Sequence, residues 1–136
     1  MEQVKNWQQA GITFIRIITG LMMAYHGLEV FDAKTMATYQ DWDVIKNMPS
    51  PVFMMYLAKS AEFITGILLA VGFVTRFAAI TMALIMFFIC FKVGGGKFWY
   101  EDQHPFLFGL LALQYFFIGG GKWSVDAWVW GRVGSR

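Results

Sequence analysis

Charged side chains are scarce in this chain: Asp, Glu, Lys and Arg make up 15% of its 136 residues, against about 25% in an average soluble domain. The signs nearly balance, with 11 cations against 9 anions. There is no basic stripe, zinc-finger spacing or aromatic–basic alternation, which argues against nucleic acid as a partner. Cysteine occurs once, at Cys90, so an internal disulfide and a CxxC thiol relay are both excluded. Cys90 lies in an unbroken apolar run and reads as a buried, inert thiol. Proline occurs only 3 times, far below what a collagen-like repeat requires. What fills the chain instead is apolar: 57% of residues are hydrophobic and 18% are aromatic. That composition rules out disorder and a coiled coil, and it points to a membrane protein.

Four apolar segments can be drawn, over residues 10–31, 51–74, 77–93 and 105–118. A helix crossing the bilayer needs about 20 such residues at about 1.5 Å each. The third and fourth are short, and flanking Lys92, Lys97, Trp99 and Trp123 can complete them at the interfaces. No period-2 alternation marks a strand, and the third segment has no polar face to offer water. The expected fold is therefore all-α: one domain over 1–136, an integral membrane bundle of four transmembrane helices. In the first loop, Met36, Tyr39, Trp42, Ile45 and Met48 recur every three residues with polar groups between them. This pattern predicts a short amphipathic helix in the headgroup layer, ended by Pro49 and Pro51. The N-terminal stretch lacks a small-residue cleavage site and is expected to remain as an anchor.

An even number of spans puts both termini on one side, with Lys5, Arg76, Lys122, Arg132 and Arg136. The other side carries Lys34, Lys46, Lys92 and Lys97. The excess of cations on the first side points to cytoplasmic termini in a bacterial inner membrane.

The informative residues are the ionisable ones at membrane depth. Arg16 in the first segment and Glu62 in the second would each cost about 2.5–3.5 kcal/mol facing lipid. With both helices centred on the bilayer their depths nearly coincide, so an Arg16–Glu62 pair is expected, with Lys59 as a second partner one turn away. Gly20, Gly27 and Gly66 would let these two helices approach closely. At the outer end, His26 and Glu29 share a helix side, Lys92 closes the third segment and His104 begins the fourth. Together they suggest an outward-opening polar pocket lined by Arg16, Lys59, Glu62, Lys92 and His104. His26, Glu29 and Glu62 would exchange protons there. No metal is expected, since HExxH and comparable ligand spacings are missing. Two histidines on different helices could ligate a haem, but no CxxCH accompanies them.

Three groups of residues carry a resemblance. The first is Arg16-Ile17-Ile18-Thr19-Gly20 with His26-Gly27 beyond it. The second runs from Glu62-Phe63-Ile64-Thr65-Gly66 to Thr75-Arg76-Phe77-Ala78-Ala79. The third is Gly119-Gly120-Gly121-Lys122-Trp123-Ser124-Val125-Asp126. In this order they resemble the R-x-x-x-G and HG, E-x-x-x-G…T-R-x-A-A, and G-x-G-[RK]-[WY]-S-x-D motifs of DoxX membrane proteins. The resemblance implies a four-helix membrane fold and a link to respiratory and sulfur redox chemistry, the family being named from a thiosulfate:quinone oxidoreductase subunit. A Lys that commonly follows the family's HG is Val30 here, beside Glu29, so Lys34 or Lys92 would have to supply that cation. The function expected on this basis is an accessory or small subunit of a membrane redox system with quinone as its ligand, working with a redox partner protein or as a homo-oligomer. The alternative is a non-enzymatic protein that binds or transports a lipid or small solute, or an assembly subunit.

Overall fold

A computed structural model describes residues 5–133, which are helical with short connections. Helix α1 (Asn6–Gly27) opens with the Gln8 side chain accepting from the Lys5 backbone N–H at 2.9 Å, and it tightens into a 3₁₀ turn at Leu28–Phe31. Two short helices follow, α2 (Ala33–Gln40) and α3 (Asp43–Lys46). Helix α4 (Pro51–Val71) starts on a proline, whose missing N–H costs nothing at that position. Helix α5 (Thr75–Phe88) runs on as a π-helical turn at Ile89–Val93. Helices α6 (Gln103–Ile118) and α7 (Val125–Val133) follow. Asn6–Phe31, Pro51–Val71 and Thr75–Val93 are long and apolar enough to cross a membrane, and Gln103–Ile118 is a shorter apolar helix.

The side-chain distribution is that of an all-α membrane bundle. On α1 the buried stripe is Arg16, Thr19, Gly20, Met23, Ala24 and Gly27, while Phe14, Ile18, Leu21 and Met22 face outward. Lipid tails are as apolar as these side chains, so the helices associate through close packing, for which small residues are suited. Gly20 lies against the Ala70 backbone, Gly66 against Ala24, and Gly27 against Phe63, and a Cβ added at any of the three would overlap its neighbour. Helices α5 and α6 form the second tight pair, with Ala79, Met82, Ala83, Met86, Phe108, Ala112 and Tyr115 in the core.

These two pairs meet at one end. Gly72, at φ 73°, closes α4, and Val74, at φ 42°, starts α5 in a conformation unusual for a β-branched residue. Along their length α4 and α5 pack more loosely against each other than either does against its own partner. We call the ends the turn pole, which also holds the start of α1 and the C-terminal segment, and the loop pole, which holds α2, α3 and the α5–α6 loop.

The first loop holds two short helices rather than one, broken at Asp41 and Trp42. Met36 and Ile45 are buried against Met55 of α4, which fixes the segment over the loop pole. Helix α7 was not anticipated from the sequence. Ser124 caps it: its Oγ accepts from the Ala127 N–H at 3.1 Å and donates to the Gly121 carbonyl at 2.7 Å.

Candidate functional site

The polar residues of the bundle separate into two groups, one at each pole. At the turn pole Arg16 is 1% exposed. Its guanidinium donates to the carbonyls of Gly120, Trp123 (3.0 Å) and Ala70 (3.4 Å). Asp126 accepts from the Val74 N–H at 2.7 Å and the Thr75 N–H at 2.8 Å, holding the α4–α5 turn. Gln9 accepts from the Lys122 N–H at 2.8 Å, and the Tyr115 hydroxyl donates to the Ile12 carbonyl at 2.9 Å. The C-terminal motif thus clamps the first helix to the α4–α5 turn.

The expected Arg16–Glu62 pair does not form. The glycine contacts set a register in which Arg16 stands beside Gly72, whereas Glu62 stands at the level of Gly27. Arg16 is therefore at the opposite pole from the other candidate residues and does not line their pocket. Both terminal nitrogens of its guanidinium donate to backbone carbonyls, while Nε is buried without a partner, and the residue acts as a structural clamp.

At the loop pole a cavity of about 650 Å³ lies between α1, α4, α5 and the start of α6. The α2–α3 segment contributes Tyr39, Trp42 and Ile45 to its lining. Most of the wall is apolar, with methionines from α1, α4 and α5, and the polar exceptions include His26, Lys59, Glu62 and His104. Lys59 sits between two carboxylates, with Nζ 2.8 Å from Glu29 and 2.9 Å from Glu62. Glu62 is 1% exposed, so Lys59 provides the counter-charge expected from Arg16. The Tyr39 hydroxyl donates to Glu29 at 2.8 Å, and the Lys59 ammonium stands 5.3 Å from the Tyr39 ring centre. Burial, together with the bond to Glu29, pushes the Tyr39 phenol above its ordinary pKa, so it stays a donor at neutral pH. His26 and His104 meet edge to face with ring centres 5.4 Å apart.

The structure thus brings together His26, Lys59, Glu62 and His104 in the lining, with Glu29 joined to them through Lys59. Lys92 is exposed and lies outside the lining, and Val30 leaves no cation after the His26-Gly27 pair. The sequence reading missed the Glu29–Lys59 bridge and the part of Tyr39. Opposite charges on helices already expected to pack together were the available signal for that bridge. Among the described residues no group of three or more His, Cys, Asp or Glu is placed to hold a metal ion.

Comparison with curated proteins gave no match, and neither did comparison with solved structures. The family model DoxX matches residues 11–95, which include the first two motifs, the glycine contacts of α1 and α4, and most of the cavity wall, and which end before the 119–126 motif. With more than half of its length matched and an all-α membrane bundle as its fold, the chain belongs to the DoxX family of small integral membrane proteins.

Proposed function

We propose that this protein binds a quinone-type molecule in the loop-pole cavity and serves a bacterial inner-membrane redox system as an accessory subunit, with both termini cytoplasmic. The observation that carries this reading is the composition of the cavity wall: an apolar space of about 650 Å³ with His26, Lys59, Glu62 and His104 among its few polar residues. Ligand sites commonly have this form, a largely apolar pocket in which a few polar groups orient the ligand. A bound quinone would supply the two-electron chemistry that the side chains lack. His26 and His104 can bond a carbonyl oxygen of the ring or exchange a proton with it. The Glu29–Lys59–Glu62 chain offers a further route for protons, and electrons would pass to a partner protein or a second copy of the chain. The cation distribution between the two sides supports the orientation.

Titrating detergent-purified protein with a short-chain quinone tests the reading. Trp42 lines the cavity, so saturable fluorescence quenching that is lost in Trp42→Phe is the expected result. Organic extraction should also recover quinone from protein isolated from membranes. The same apolar lining favours a second reading, a lipid-binding or solute-binding protein without electron transfer. Protein that shows no quenching and carries a stoichiometric lipid would support that one.

A further inference from the structure

The cavity wall includes residues that face outward from the bundle. Leu57 of α4 is 52% exposed and Leu84 of α5 is 63% exposed, and both line the cavity, as do the exposed Met54 and Phe88. Leu84 stands midway along Thr75–Val93, at the depth of the acyl chains. The opening lies between α4 and α5, which pack less closely on each other than α4 does on α1 or α5 on α6. The space therefore continues sideways into the bilayer.

The charge at its polar wall is equally specific. Lys59 is already shared between Glu29 and Glu62. With the histidines neutral, the trio is net negative when both carboxyls are ionised and neutral when one is protonated. It has no free positive charge for an anion, and two carboxylates would repel one.

We propose that the cavity is loaded from the membrane through the gap between α4 and α5, and that it takes long-chain molecules with an uncharged polar head while excluding anionic heads. This rests on the ligand-binding reading above and narrows it. Sulfur oxyanions and lipids with anionic phosphate heads fall outside the accepted class.

The test uses the full chain in lipid nanodiscs with two photoactivatable probes of equal chain length, a long-chain alcohol and an alkyl sulfonate. The alcohol should label peptides from α4 and α5, and the sulfonate should label them about tenfold less, as like-charge juxtaposition demands. Leu57→Trp and Leu84→Trp, both at lipid-facing positions, should slow labelling by the alcohol about tenfold, a change of the order seen in association rates among variants of one interface. Leu110→Trp, exposed on α6 outside the lining, should leave the rate unchanged. In the double variant Glu29→Gln, Glu62→Gln, Lys59 becomes a free cation and the sulfonate should gain access. If that variant does not fold, the comparison of probes on the unaltered protein decides the charge rule. Equal labelling by both probes overturns that rule alone. Unaltered rates in both tryptophan variants overturn the lateral route and leave the cavity reading standing. A chain that neither probe labels, in a sample that also fails to quench with quinone, removes both.

Discussion

The two poles of the bundle bury similar residues to different ends. At the turn pole Arg16 is held by the carbonyls of three residues, and Asp126 spends both its oxygens on backbone N–H groups. The partners of these two residues are main chain, and the helices converge. At the loop pole the partners are side chains: Lys59 with Glu29 and Glu62, Tyr39 with Glu29, His26 against His104. Side chains can change partners without moving a helix, and there the helices diverge around a cavity. Groups bonded to fixed backbone hold a shape, whereas groups bonded to each other remain available to a ligand.

Substitutions at each pole can break or sharpen that contrast. The largest effect is expected for Arg16→Ala, which takes its donor from the buried Gly120 carbonyl and from the part-buried Trp123 carbonyl. It should lower stability by about 3–5 kcal/mol, since it removes several hydrogen bonds to a charged group at about 1.5–3 kcal/mol each, and is read as a fall in melting temperature in detergent. Asp126→Ala should follow at about 1.5–3 kcal/mol, the usual worth of hydrogen bonds to a charged group. It should also speed amide exchange at Val74 and Thr75. Glu62→Gln at the loop pole should cost only about 1 kcal/mol, since Lys59 keeps Glu29 and the amide can still accept. Its main effect should be on quinone quenching, and a large loss of stability would erase the contrast between the poles. The smallest effect concerns Asp32, which caps α2 by accepting from the Lys34 N–H at 3.1 Å. Bonds from Thr35 and Lys34 hold its carboxyl below the ordinary aspartate pKa. The cap is therefore present in full above the ordinary value and is lost as pH falls through the depressed one. Amide exchange in Ala33–Gln40 should rise over that acid range, with α4 unaffected.

The apolar runs and the glycine spacing made the bundle and its α1–α4 contact legible in the sequence, because membrane helices announce themselves by length and small residues by their period. His26, Glu62, Lys59 and His104 were legible as a group for a similar reason: ionisable residues at membrane depth have few explanations. Arg16 was misassigned because its acceptors are carbonyls, which every residue owns and no sequence marks. Nor are the two helices centred alike, because Gly20, Gly27 and Gly66 slide them into another register. Helix α7 is hard to see in the sequence because Gly119, Gly120 and Gly121 interrupt the apolar pattern before it, although Ser124 is a strong helix-starting residue.

The clamp at the turn pole also orders events during synthesis. Arg16 belongs to α1, yet two of its three acceptors lie 104 and 107 positions downstream. Until the ribosome has released Gly120 and Trp123 from its tunnel, this cation must rely on water or headgroups at the near surface. The newborn bundle therefore stays unlatched until the segment that carries Gly120 and Trp123 arrives.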